Sequence, residues 1–160
     1  MIAIRQKEKI NVRIDHMIGR RMKEVMEIEK ESFEFPWTRD EFARYLDHPR
    51  CIGMIAEQKD GKTVGFILYE EHSFKFHIAN LAVSPPFRRQ GIASQMIASL
   101  ISALGGRRTK IMFEVRETNL GGQLFLKKQG FIAVDVYPKF YGENDESAYF
   151  MQYNLPPLGS

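Results

Sequence analysis

The residues able to do chemistry gather in two places. In the run Arg88-Arg89-Gln90-Gly91-Ile92-Ala93-Ser94, two adjacent arginines precede small residues at 91 and 93, and an amphipathic helix begins inside the run. Small residues let the backbone approach a ligand closely. The N–H groups of the first helical turn, with the helix dipole behind them, then favour a phosphate. Upstream, Ala79 to Val83 reads as the end of a strand, and Pro85-Pro86 stop the ladder because proline has a fixed φ and no N–H. The second place is Glu114. It follows Ile111, Met112 and Phe113, which sets it at the mouth of an apolar strand, where desolvation raises a carboxyl pKa and suits a general base. An ion pair with Arg116 on the same strand face is the competing reading.

Other chemistries find less support. His16, His48, His72 and His77 show no metal-ligand spacing among themselves or with Cys51, so no metal is expected and each histidine is read as solvated or packed in the core. Cys51 lies in an apolar strand and reads as an inert thiol. Neither a GxxxxGK[ST] nor a GxSxG pattern occurs, which argues against P-loop and α/β-hydrolase chemistry.

The elements that must position these residues are legible in order. Alternation predicts a strand over Ile10–Ile14. Helical spacing of Met22, Val25, Met26 and Phe33, widened by Ile28, predicts a helix over 20–33. Phe35-Pro36-Trp37 interrupts it. Thr38 as N-cap with Glu41 forms a capping box for a helix over 39–47, and Trp37 with Phe42 occupies the hydrophobic-staple positions. Trp37 is read either as that staple alone or as part of an aromatic loop lining a substrate groove. Strands over 51–57 and 64–70 flank the turn Asp60-Gly61, and a third runs over 74–83. A helix over 90–104, with Ile92, Met96, Leu100, Ile101 and Leu104 on its inner face, ends at Gly105-Gly106. A strand over 111–115 precedes a helix capped by Asn119 and closed by Gly130. Gly121 and Gly122 leave its first turn open to a ligand. Strands over 131–137 and 147–154 finish the chain, around a 138–146 loop that is first aromatic and then acidic. The order β-α-α-β-β-β-α-β-α-β-β predicts an α/β (α+β) mixed sheet with helices on both faces.

At 160 residues the chain is expected to form one domain with its core over about 10–155. A composition of 44% hydrophobic and 27% charged residues is that of a globular protein. No apolar run approaches the ~20 residues a membrane span needs, and the first ten residues lack a signal-peptide core. The single cysteine excludes an internal disulfide framework, so the cytoplasm is the expected compartment. A net charge of +3 is spread along the chain rather than gathered in an arm, which ranks nucleic-acid binding low.

Arg88, Gly91 and Ala93 fill a pattern that resembles the acyl-CoA-binding motif of the GNAT acetyltransferase superfamily, Arg/Gln-x-x-Gly-x-Gly/Ala, and the element order is similar to that of this fold. The likeness is to N-terminal protein acetyltransferases, particularly bacterial ribosomal-protein alanine acetyltransferases and archaeal enzymes like them. Four pieces carry it: Phe35-Pro36-Trp37-Thr38; Asn80-Leu81-Ala82-Val83 followed by 88–93; Phe113-Glu114-Val115-Arg116-x-x-Asn119; and Phe140-Tyr141 with the acidic stretch and Ala148.

The resemblance implies an acetyl-CoA-dependent transferase acting by direct transfer on a protein or peptide N-terminus, a ribosomal protein among them, with no metal. The alternatives it leaves are a small-amine or lysine acetyltransferase and a weakly catalytic acyl-CoA-binding protein. It further implies that backbone groups of Leu81, Ala82 and Val83 pair with the pantetheine arm. Amides over Arg88, Arg89, Gln90, Gly91, Ile92, Ala93 and Ser94 would hold the pyrophosphate, and Asn119 the pantetheine. Glu114 would be the base, with Phe35, Trp37, Tyr137 and Tyr141 lining the acceptor groove. The tyrosine that usually donates a proton to the CoA thiolate is replaced by Leu126, leaving Tyr141 or Tyr137 as substitutes, or solvent.

Overall fold

The computed structural model describes residues 7–158. Eleven elements follow in the expected order: β1 (Arg13–His16), α1 (Met22–Ser32), α2 (Arg39–Asp47), β2 (Cys51–Glu57), β3 (Thr63–Glu71), β4 (Lys75–Val83), α3 (Ile92–Ser102), β5 (Lys110–Arg116), α4 (Leu120–Lys128), β6 (Ile132–Tyr137) and β7 (Ala148–Asn154). The strands form one mixed sheet in the order β1-β2-β3-β4-β5-β7-β6. Its β4–β5 pair is parallel, as a crossover through α3 requires, and β5–β7 and β6–β7 are antiparallel. Among the described residues no helix is long and apolar enough to cross a membrane. Packing falls into two compact units, residues 7–68 with 80–99 and residues 69–79 with 100–158.

In the first unit the core is built on β3, whose residues from Thr63 to Leu68 are all buried. Val25 and Ile28 of α1 and Phe42 of α2 join it, with the Phe42 and Phe66 rings 5.9 Å apart. Gly65 is where α3 comes down on the strand. A Cβ there would lie 3.1 Å from the Ala82 carbonyl and 3.1 Å from Met96 Cε, so a side chain would have to push these neighbours back by a few tenths of an ångström. The Thr38 hydroxyl caps α2 by accepting the Glu41 N–H at 3.2 Å, and the Trp37–Phe42 staple closes at 5.4 Å between ring centroids.

Three element starts shift by two residues or more, the first two for a tertiary reason. Ile10 to Val12 do not enter β1. The side-chain amide of Gln95 on α3 takes up their backbone instead, accepting from Val12 N–H at 3.1 Å and donating to the Ile10 carbonyl at 2.6 Å. Helix α1 starts later than expected because Gly19–Arg21 form a 3₁₀ turn, held as the Arg21 guanidinium reaches Glu57 and the Gly61 carbonyl, each at 2.8 Å. Helix α3 starts at Ile92 rather than Gln90, because Arg89 and Gly91 both have positive φ, +63° and +79°. On α3 the buried face includes Ile97, absent from the expected stripe, while Ile101 is only half-buried, and the helix ends at Ser102, short of the expected Leu104.

In the second unit β5 pairs with β7 from Lys110↔Asn154 to Arg116↔Ala148. Leu126 of α4 and Phe131 are almost fully enclosed. Asn119 caps α4 through its side-chain oxygen, which accepts the Gly122 N–H at 2.9 Å. Gly130, at φ +97°, ends the helix in the left-handed conformation.

Candidate active site

The first unit carries the anion loop. Past Val83 the chain makes a 3₁₀ turn at Pro85–Phe87, then turns through the two left-handed residues into α3. A left-handed arginine is strained, by order 1 kcal/mol or more, and such strain persists where surrounding structure holds it. The first-turn amides of α3 form the dipole-favoured end of the helix.

The Arg88 side chain folds back, Nε donating to the Val83 carbonyl and Nη2 to Ser32 Oγ, each at 2.9 Å. It ties α1 to the end of β4, and it and Arg89 are both exposed, so both charges remain at the loop. Lys62 Nζ sits 5.0 Å from the Phe87 ring centroid, and the stem of Lys9 lies against Gly91. Gln90 and the α3 residues Ile92, Ala93 and Ser94 complete the loop. Leu81, Ala82 and Val83 form the end of β4, where the latter two are buried.

The Phe35–Trp37 loop is anchored by a residue that sequence reasoning missed. Glu29 is 1% exposed. Its carboxylate accepts the Trp37 N–H at 3.1 Å and the Asn80 side-chain amide at 2.7 Å, and burial pushes its pKa up against these two bonds. A signal existed, since Glu29 stands four residues after Val25, where an apolar residue would continue the inner face of α1. Trp37 meets Tyr45 edge to face as well as touching Phe42, with the Trp37 and Tyr45 centroids 5.4 Å apart. Phe35 is part-exposed on the same loop.

Glu114 dominates the second unit. The β4–β5 register sets His77 opposite Met112, so Glu114, two residues on, shares the face of His77. Both carboxylate oxygens lie 2.6 Å from His77 Nε2, which must donate because an ionised carboxylate only accepts. That bond raises the pKa of His77, against the opposing effect of burial. The imidazole was expected to be solvated or in the core, and it is instead the partner of the candidate base. Two positions on neighbouring strands separated by a whole crossover give no linear signal of their meeting.

Across the β5–β7 ladder Glu114 faces Phe150, and cross-strand pairs share a face. The Phe150 ring centroid lies 4.2 Å from that of Tyr137 and 5.5 Å from that of Phe140, and Tyr141 follows at 5.0 Å from Phe140. Arg116 turns to this wall and its loop. Its guanidinium carbon sits 3.8 Å from the Tyr141 ring centroid, and it pairs with Glu146 at 3.1 Å and Glu143 at 3.4 Å. Burial is the main cause that pushes the Tyr141 phenol up to about 12. Glu146 is held down to about 2, first by the Thr118 hydroxyl it accepts.

The cap bond occupies the side-chain oxygen of Asn119. Leu126, where the family pattern has tyrosine, is 1% exposed and packs within the unit.

Residues 22–131 match the family model described as the acetyltransferase (GNAT) family. A Bacillus subtilis protein bearing the provisional description of a ribosomal protein bS18-alanine N-acetyltransferase is 30% identical over 129 residues, covering 79% of this chain and 85% of its own. Among solved structures, the ribosomal-protein-S18-alanine N-acetyltransferase of Escherichia coli superposes with a TM-score of 0.81 at 23% identity, covering 94% of this chain and 97% of its own. Arabidopsis thaliana NAA60 in complex with acetyl-CoA superposes with a TM-score of 0.79 at 14% identity, covering 91% of this chain and 100% of its own. The two superpositions establish likeness of fold.

Proposed function

The chain belongs to the acetyltransferase (GNAT) family, and from that premise we propose that it transfers acetyl from acetyl-CoA directly to the N-terminal amine of a protein or peptide, a ribosomal protein being the acceptor class its relatives point to. The cytoplasm is the compartment this acceptor class requires. One observation carries the reading: a carboxylate hydrogen-bonded to an imidazole at 2.6 Å, beside a wall of Tyr137, Phe140, Tyr141 and Phe150 on the same sheet face.

An N-terminal amine has a pKa of about 7.7–8.0, so freeing its lone pair at neutral pH is a modest task that a carboxylate accomplishes directly or through one water. Glu114 accepts that proton, and His77 holds the carboxylate in place and spreads the charge. The amine nitrogen then bonds to the thioester carbonyl carbon, the C–S bond breaks, and the thiolate departs with the electron pair. A CoA thiol has a pKa near about 8.5, well below the Tyr141 phenol at about 12. Tyr141 is therefore too weak an acid to hand its proton over at equilibrium. In this reading it donates a hydrogen bond or positions the peptide, and solvent protonates the thiolate. Backbone amides over 89–94 hold the pyrophosphate.

The test is mass spectrometry of acetylation across a peptide panel in which some members have free N-termini and others have blocked N-termini and a free lysine. Modification confined to the α-amine is expected. Labelling only of lysine, or of nothing, would overturn the reading.

A further inference from the structure

The hairpin joining β3 to β4 carries two side chains that acetyl transfer does not use, Glu70 and His72, beside one that it does, His77. The His72 N–H donates to the Lys75 carbonyl at 2.9 Å and closes the turn, and Arg108 fixes its backbone by donating to the His72 carbonyl at 2.8 Å. Counting back along the two strands from that pair sets Glu70 across from His77. Glu70, His72 and His77 each aim one ligand atom into a common space, with all three atoms within 4.8 Å of one another. Glu70 Oε2 is already 2.8 Å from His72 Nε2. Glu114, at 2.6 Å from His77 Nε2, borders the same space with a second carboxylate.

We propose that Glu70, His72 and His77 form a binding site for a zinc-class divalent cation, which replaces the His77–Glu114 hydrogen bond and so switches transfer off. The switching half rests on the reading of Glu114 as base.

Two imidazole nitrogens and a carboxylate oxygen are a donor set that suits Zn²⁺, Cu²⁺ or Ni²⁺, whereas Mg²⁺ and Ca²⁺ ask for oxygen ligands. Zinc–ligand bonds of about 2.0–2.1 Å place tetrahedral ligands roughly 3.3 Å apart. The Glu70–His72 pair, now at 2.8 Å, needs only to open slightly, and a pair at the 4.8 Å limit would close by about 1.5 Å. Torsion of the Glu70 and His72 side chains, 31% and 30% exposed, is enough for that. The cation would take the Nε2 lone pair of each ring, the proton now donated to the carboxylate moving to Nδ1 or to solvent. Three protein ligands leave a fourth position, and Glu114 is the nearest group able to take it. Occupation would then remove the base as well as its partner. Sequence spacing hid the set because the turn, and not a helical repeat, brings its members together.

The whole chain, freed of metal and chelator, is titrated with Co²⁺ and followed by visible d–d absorption, then with Zn²⁺ against a chromophoric chelator. One tightly bound equivalent is expected, with Mg²⁺ giving none. His72→Ala, outside the residues assigned to transfer, should weaken binding at least about tenfold, in line with loss of a ligand. Its turnover without metal should be unchanged and should resist zinc. Glu70→Gln, nearly isosteric, should show the same pattern if His72→Ala folds poorly.

Absence of a stoichiometric Co²⁺ signal, or equal binding by both variants, would overturn the site and leave a hydrogen-bonded pair only. Binding with no effect of zinc on turnover would overturn the switching. Since the Co²⁺ titration needs no activity, a chain that binds the cation yet acetylates nothing would refute the function proposed for it and not the site.

Discussion

Replacing Glu114 by glutamine removes the proposed base while keeping its volume and polarity. Glutamine still offers an oxygen to His77 Nε2–H at the position where the carboxylate now sits 2.6 Å away. What the fold loses is the difference between a charge-assisted and a neutral hydrogen bond, about 1 kcal/mol. The protein should remain folded. Transfer loses the group that accepts the amine proton, and general-base catalysis contributes roughly 10²–10⁴-fold, or about 3–5 kcal/mol of barrier. Initial rates of CoA thiol release, at saturating acetyl-CoA and peptide, should therefore fall by that factor, with CoA affinity unchanged by calorimetry. A His77→Gln change should lower turnover in the native background and add little in the Glu114→Gln background, because two groups serving one proton transfer are not independent. If Glu114→Gln keeps turnover at saturation within about threefold, far short of what a general base contributes, the carboxylate is structural. If the two losses multiply, His77 acts elsewhere.

Three further outcomes follow from the geometry. Gly91→Val places a β-branched residue at φ +79° with its Cβ about 3.2 Å from Lys9 Cγ, so CoA affinity should fall at least about tenfold in a folded protein; unchanged affinity would remove the loop from the binding site. Leu126→Tyr forces a phenol into a site 1% exposed and should cost about 1–3 kcal/mol in urea unfolding without raising turnover; a faster, equally stable variant would show that the missing tyrosine is a true deficit. For Glu29, burial raises the folded pKa above the ordinary 4.5, so the native state binds the proton more tightly than the unfolded state. Its favourable contribution is present below pH 4.5 and is lost as pH rises through the folded pKa. Relative to Glu29→Gln, the parent should lose stability on raising pH from 4.5 towards neutrality, and a difference that stays flat would contradict the assigned burial.

What the amino-acid sequence settled by itself was local. Thr38 and Asn119 marked helix starts because their short oxygens reach the free N–H groups of a first turn, and both do so. Gly61 and Gly130 marked turns because each adopts positive φ, which other side chains rarely tolerate. Strand β2 and helix α2 were legible to the residue, their apolar spacing being a property of one segment, and the order of elements followed from these local signals.

Only the tertiary structure decided which segments share a face. A crossover through α3 separates His77 from Glu114 along the chain, and their meeting depends on the parallel register of β4 with β5, which neither strand encodes alone. The burial of Glu29, the turning back of Arg88 onto Val83 and Ser32, and the capture of Ile10 to Val12 by Gln95 are of the same kind. Each places a polar group by a long-range partner, and hydrogen-bonding capacity, unlike apolar periodicity, leaves no repeating mark in sequence to say where that partner lies.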